Sequence, residues 1–484
     1  MNSNIGDSNT QADQAGLFSD VQHPPDTKEP TVMASPSGAP RLMVPVRNQV
    51  EWQAYDLDSV LPADHAARTV WAFVNALDLK PLYASVGSVR GGAGAPAIDP
   101  AILVALWLWA TIDGVGSARE VDRLCKRDDA YRWICGGVGV NYHTLADFRT
   151  RHEAWLDAQL TRSIASLLDR SLIKLEVVAQ DGLRVRAWAK AASFRRRQKL
   201  QELHALAQAQ VQALKSELQE DAAASTRRKQ AARERAAVQR EQRLAQALAV
   251  MHKITEVKAP KPSKRRGASK DKDDDDDTGA APPPRTHRVM PKLVQTKEPR
   301  VSSSDAQSRV TKMSDGGWRP GMNVQLAVDA QTLLVAGVDV VSGTDMKHMS
   351  PMHEQIHKRY GITPEYWLAD GGFCKMEGLQ QLYERGTQPI VPPYQTRNLD
   401  VDPKAAKRDD TGEIAHWRQF MDTEWAKELY LRRGASVEWV NGRFRKQGLT
   451  QFNVRGLLKA RAVVLWHALA HNLMRLKSLG LALA

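Results

Sequence analysis

The chain is poor in cysteine, with three thiols (Cys125, Cys135 and Cys374) among 484 residues. Three cannot build a disulfide framework, and their spacing fits no zinc motif, which leaves ordinary thiols in a reducing compartment. Long apolar runs are also missing. The longest, Ala101 to Ile112, has 12 residues and is too short to span a bilayer. The polar, Pro- and Ser-rich start to about Pro40 has no basic stretch leading into an apolar one, so no secretory leader is read there. Together these absences lead us to expect a soluble, cytoplasmic protein.

Positive charge, by contrast, is plentiful. Lys and Arg number 68 against 55 Asp and Glu, a net charge of +13, and the pI is near 9.6. Such a balance favours a polyanionic partner, with nucleic acid ahead of a membrane surface. The length allows two or three domains, and 13 tryptophans help to supply a core.

Residues 1–44 show no periodicity and are expected to be a disordered tail. From 45 to 173 the pattern is helical. Asp64 is placed to cap a helix carrying Ala67, Val70, Trp71, Val74 and Leu77. Asp99-Pro100 reads as a cap followed by proline at the first helical position. Ser117 with Glu120 forms a capping box, and Thr144 is read as opening a further helix. Arginines scattered through this region, Arg149 among them, favour DNA contact over a merely solvated surface.

Lys174 to Gln180 is a β-like run read as ending at Asp181-Gly182. Residues 194–254 carry Leu200, Leu203, Ala207, Val211, Leu214 and Leu218 at three- and four-residue steps, as in a coiled-coil seam. The polar break from Glu220 to Thr226 suggests a hairpin of helices. Residues 255–300, with five aspartates at 273–277 and three prolines at 282–284, read as a charged, flexible linker. Order returns with an alternating strand ending at Asp329 and a second from Leu333 to Val341, paired as a hairpin. Asp345 is read as capping a helix to Tyr360. Residues 394–422 read as an irregular polar loop, 424–444 as a helix interrupted by Gly434, and 457–479 as a long amphipathic helix. The fold class expected is mixed α/β, split by a helical and disordered insertion and preceded by an all-α domain.

Three acids stand out. Tyr366-Trp367-Leu368-Ala369 is a short apolar strand ending on Asp370, followed at once by Gly371 and Gly372. Asp181-Gly182 repeats that arrangement, and Glu438 lies on the helix between Glu424 and Phe444. Cleavage of a phosphodiester needs charge neutralised on attacking and leaving oxygens, which two divalent ions held by carboxylates supply. Mg²⁺ takes oxygen ligands and keeps several waters, so three acids suffice for a pair. Tyr430, Arg433, Arg445 and Lys446 flank Glu438, and Arg184 and Arg186 follow Asp181; these are the expected phosphate contacts. Trp439 and Phe444 are either base-stacking or core residues.

These residues resemble the DDE transposases of bacterial insertion sequences. Asp181-Gly182-Leu183-Arg184-Val185-Arg186-Ala187 resembles their first-Asp motif, although Leu183 stands where Thr is usual. Leu368-Ala369-Asp370-Gly371-Gly372-Phe373 resembles the second, and Asn323 to Asp329 the intervening strand. Tyr430, Arg433, Glu438 and Arg445 resemble the Tyr–Arg–Glu–Lys signature, with one extra residue between Arg433 and Glu438 and Arg in place of Lys. Asp99-Pro100, Ser117 to Cys125 and His143-Thr144-Leu145 through Phe148-Arg149 resemble the helical N-terminal domain of such enzymes. The resemblance implies an RNase H-like catalytic core at 174–193 and 301–478, with Asp181, Asp370 and Glu438 as catalytic metal ligands. It also implies two Mg²⁺ or Mn²⁺ ions, terminal inverted repeats and target DNA as partners, a homodimer in the DNA complex, and a nucleoid-associated location.

Two other readings stay open. A transposase-derived protein could bind DNA without cutting it. His353-Glu354-Gln355-Ile356-His357 also fits the zinc-hydrolase pattern H-E-x-x-H, with Glu377 at a plausible spacing for a third ligand. Asp329, Asp345 and Asp305 are spare carboxylates read as turn or cap residues, and Asp329 is the substitute to test if Asp181 fails.

Overall fold

The computed structural model describes residues 56–88, 95–220, 224–258, 298–394 and 402–481. The tail expected at 1–44, and all of the charged linker but its two ends, lie outside the described residues. Seven helices come first: α1 (Ala66–Ala76), α2 (Lys80–Ala84), α3 (Pro100–Ile112), α4 (Ala118–Leu124), α5 (Asp129–Cys135), α6 (Tyr142–Arg151) and α7 (Glu153–Asp169). α3 is buried along nearly its whole length, as expected of a helix with no polar face. Asp99 caps it by accepting from the Ala101 amide at 2.8 Å. Two start signals shift. His65, one residue after Asp64, caps α1 by accepting from the Ala67 amide at Nδ1, and Asn141 caps α6 three residues ahead of Thr144, where its side chain meets the free amide of the first turn.

The α/β half begins with β1 (Val177–Arg186), followed by β2 (Phe194–Arg195), α8 (Arg197–Glu220) and α9 (Ala224–Lys258). β3 (Val301–Ser302) pairs with β2. Then come β4 (Arg309–Lys312), β5 (Trp318–Asp329), β6 (Val335–Val341), α10 (Met349–Tyr360), β7 (Tyr366–Leu368), α11 (Met376–Glu384) and β8 (Gln388–Ile390). The main sheet runs β6–β5–β1–β7–β8, with β4 sharing β6's side of β5. β6, β5 and β1 are antiparallel, whereas β1, β7 and β8 are parallel. This is a mixed sheet with helices packed on it, the arrangement of an RNase H-like core. β1 does not stop at Asp181; it pairs with β5 as far as Arg186, since the alternating Leu183 and Val185 keep one face buried.

The chain closes with α12 (Gly412–Phe420), α13 (Glu424–Arg433), one π-helical turn (Gly434–Glu438), α14 (Trp439–Lys446) and α15 (Leu457–Ser478). α12 lies inside the stretch read as an irregular loop. Thr411 caps it, and Ile414 and Trp417 are buried. α15 packs on α3, α6, α7 and β6 at once, so the N-terminal helices and the sheet share a single continuous apolar core. Asn472 of α15 both donates to the Val335 carbonyl and accepts from its amide, at 2.9 and 2.8 Å. Asp157 of α7 receives Arg359 of α10 and Arg461 of α15, at 2.5 and 2.6 Å. Arg149 is buried in this packing, with its guanidinium over Trp107 and bonded to the Gly116 carbonyl, so it is not a DNA contact.

Candidate active site

β1 and β7 run parallel with Ala179 opposite Leu368. Two residues further along each strand stand Asp181 and Asp370, so the sheet register itself sets these two acids side by side. Asp370 Oδ1 caps the short turn of Gly371–Phe373 by accepting from the Gly372 amide at 2.9 Å. Asp181 accepts from the Gly182 amide and from Asn441 Nδ2, both at 2.8 Å.

Glu438 approaches from the helical side. The π-helical turn from Gly434 to Glu438 takes up one residue more than an α-turn would, which absorbs the extra residue counted between Arg433 and Glu438. Gly434 is thus part of that turn, where the sequence suggested only an interruption. As a result Arg433 and Glu438 still meet, in an ion pair between Nη2 and Oε1. The other end of the same guanidinium lies 3.8 Å from Asp181 Oδ1, and its charge acts on Asp370 as well. All three acids therefore face one cation. Tyr430 lies under the guanidinium, 5.5 Å away.

One residue of this site was missed in the sequence, and a second was read only as a spare turn or cap acid. Asn441 sits one turn after Glu438 on the same helical face, an i,i+3 relation that offered a faint signal. Asp345 does not cap α10; His348 holds that position without a side-chain bond. Instead the Asp345 carboxylate accepts from Asn323 Nδ2 at 2.6 Å, Gln325 Nε2 at 2.8 Å and Arg184 at 3.3 Å. It fills the space beside Gly182, where a β-carbon would stand 2.8 Å from Asp345 Cγ and from Asn323 Oδ1. No local pattern announces such a contact.

Burial pushes the Asp181 carboxyl up to about 6, and the negative charges of Asp370 and Asp345 push the same way. Burial also raises Asp370, with Asp345 adding to the effect. Asp181, Asp370, Asp345 and Glu438 are thus faced by only two guanidiniums among the described residues, Arg433 and Arg184. Such an excess of carboxylate over cation is the electrostatic setting in which a divalent ion binds. Among the described residues, however, no three such ligands lie close enough to enclose an ion, and Glu438 is turned onto Arg433.

Residues 286–473 match the family model described as Transposase DDE domain, and residues 55–151 match Transposase domain (DUF772). The chain belongs to the DDE transposases of insertion-sequence type. No curated protein and no solved structure matches it. Asp370 and Glu438 fall within the DDE match. Asp181 falls outside both matched segments, and strand pairing is what brings it to the others.

In this transposase chain the remaining basic candidates are distributed unevenly. Arg445, Lys446 and Arg186 are exposed and make no ion pair among the described residues, whereas Arg184 is committed to Asp345 and the Lys312 carbonyl. Of the two aromatics on α14, Phe444 is buried in the core, and Trp439 is half-exposed beneath Arg443. The H-E-x-x-H pattern makes no metal site. His353 is buried, bonded to Thr387 at 2.7 Å and packed on Trp367, and burial lowers its pKa to about 4. Glu354 pairs with Lys358, and Glu377 pairs with Lys375. The pattern belongs to a crossover helix whose inner face buries His353, held through Nε2 alone. Asp329 is a turn acid, accepting from the Thr332 amide at 2.8 Å. Asp305 accepts from the Gln307 amide at 3.3 Å. No helix among the described residues is long and apolar enough to cross a membrane.

Proposed function

We propose that this chain cuts DNA at the ends of an insertion sequence and joins the freed 3′-hydroxyl to target DNA. Asp181, Asp370 and Glu438 are its catalytic acids. The observation that carries the reading is the convergence of all three on the Arg433 guanidinium, from two adjacent strands and a helix far apart in the chain. The family uses divalent metal ions; Mg²⁺ or Mn²⁺, two per site, is our assignment. The donor set fits: hard carboxylate oxygens, in excess over their cations, at the edge of the sheet. Asp181 and Asp370 would hold the ions, with Glu438 joining on release from Arg433. Bound there, the ions supply charge neutralisation at the attacking and leaving oxygens.

The chain's own groups do the rest. Asn441 fixes one oxygen of Asp181, leaving its orientation set before substrate arrives. Asp345, itself locked by two amides, keeps the pocket negative so that cations are drawn to it. Arg433, once displaced from Glu438, is free to hold a phosphate oxygen, and exposed Arg445 and Lys446 extend that grip along the backbone. A supercoiled plasmid incubated with the purified chain and Mn²⁺ tests the assignment. Nicking by the wild type, lost in Asp370→Ala and Glu438→Gln while both remain folded, is expected. DNA binding without any nicking would instead make the chain a non-catalytic DNA-binding relative.

A further inference from the structure

The hairpin of α8 and α9 plays no part in the site above, yet α9 forms one wall of a groove. α9 faces the chain between 453 and 459 and the extension of β1 beyond Arg186. The cavity between them is about 770 Å³, and Trp188, Arg243, Ser304, Asn453, Arg455 and Lys459 are among its walls. It adjoins a second cavity of about 480 Å³ that shares Trp188, Ser304 and Arg455 and adds Lys190.

Arg243 of α9 is half-buried and forms no ion pair among the described residues. Burial lowers its pKa, as does the like charge of Arg455 and Arg240. Arg240 has only a long contact to the Gln210 side chain, at 3.5 Å. Arg455 feels Asp305, but that carboxylate is buried and already accepts from backbone amides. Asp147 lines the cavity too, with its nearest cation, Arg151, at 4.0 Å. Cations from two separate parts of the chain therefore converge without a dedicated counter-charge, which is unfavourable until an anion arrives. Beside them Trp188 leaves 47% of its surface exposed. A large aromatic left open next to such arginines is the combination that holds nucleic acid strands, phosphates on the cations and a base on the ring.

We propose that this groove holds a single-stranded stretch of DNA leading from the cut site, with phosphates on Arg243 and Arg455 and an unpaired base stacked on Trp188. The proposal rests on the transposase reading for the direction of the strand. Trp188 follows Asp181 by seven residues on the same strand and its extension, so the two lie within about 25 Å, a span of about seven base pairs. On this reading the helical insertion closes one side of the DNA path.

Fluorescence anisotropy of the full chain with a 20-nucleotide single strand and a blunt duplex of the same sequence, in EDTA over a salt series, tests this. Arg243→Ala with Arg455→Ala should weaken single-strand binding roughly tenfold and flatten the log–log salt slope by about 1.4, at about 0.7 per phosphate released. Trp188→Ala should cost roughly ten- to a hundredfold on the single strand and little on the duplex, with Trp188→Phe restoring most of it. Unchanged affinity and slope in the arginine pair, or an equal Trp188→Ala loss on both probes, overturns the proposal. So does failure of the wild type to bind the single strand. Plasmid nicking with Mn²⁺ is scored separately. Nicking with an indifferent groove sinks this proposal alone, and groove-dependent binding without nicking sinks only the catalytic assignment.

Discussion

Replacing Gly182 by alanine isolates the contact between β1 and Asp345. The new β-carbon would lie 2.8 Å from Asp345 Cγ and Asn323 Oδ1, and closer still to Asp345 Oδ1. Both neighbours hold each other through the 2.6 Å Asn323–Asp345 bond, so neither can yield alone. If Asp345 swings out, it loses its bonds to Asn323, Gln325 and Arg184. Bonds to a charged group are each worth about 1.5–3 kcal/mol, offset in part by the solvation the carboxylate regains. Overpacking costs about 1–3 kcal/mol if it stays. Within the range of both routes, a loss of about 2–3 kcal/mol is expected. A double-mutant cycle with Asp345→Ala, read from denaturant unfolding of the metal-free chain, separates clash from chance. In the Asp345→Ala background, Gly182→Ala should cost less than about 1 kcal/mol, leaving a coupling of at least about 1 kcal/mol. Nicking by Gly182→Ala should fall more than tenfold, because the negative charge leaves the pocket. A Gly182→Ala chain within about 0.5 kcal/mol of wild type, or one equally damaged without the Asp345 carboxylate, would refute the reasoning.

The raised Asp181 carboxyl has a definite sign. A folded-state value of about 6 against an ordinary 3.8 means the native state binds the proton more tightly, so metal-free stability should fall as pH rises from about 4 to 6. Asp181→Asn should flatten that fall, worth up to about 3 kcal/mol at pH 7, and abolish the rise in melting temperature that Mn²⁺ gives the wild type. A steeper fall in Asp181→Asn would contradict this. Deleting exposed Ala435 should turn the π-helical turn into plain α-helix with Arg433 and Glu438 still paired, so nicking should survive within about threefold; a folded but inactive deletion would show the turn itself to be required. His353→Ala should lower stability by about 2 kcal/mol through its lost Thr387 bond and Trp367 packing, with no change in metal dependence; altered Zn²⁺ uptake by mass spectrometry would reopen the hydrolase reading.

The alternation from Asn323 to Asp329 and the apolar run before Asp370 announced strands because side-chain burial repeats along them. The Asp–Gly pairs announced where chemistry could gather. What stayed hidden depends on distance along the chain. Asn441 reaches Asp181 across 260 residues, and Asp345 reaches Arg184 across 161, relations no local pattern encodes. α12 was masked by its charged approach from Lys404 to Asp410, where polar residues read as loop although Ile414 and Trp417 carry a buried face. The π-helical turn was visible only as one residue too many, since i→i+5 bonding has no residue preference strong enough to read.

The position of α15 has a temporal side. A nascent chain whose first helices and β6 have left the ribosome still lacks the helix that packs on both until residues 457–478 emerge. Completion of the shared core must therefore wait on translation of that segment, and chains released early would expose open apolar surface to chaperones and proteases.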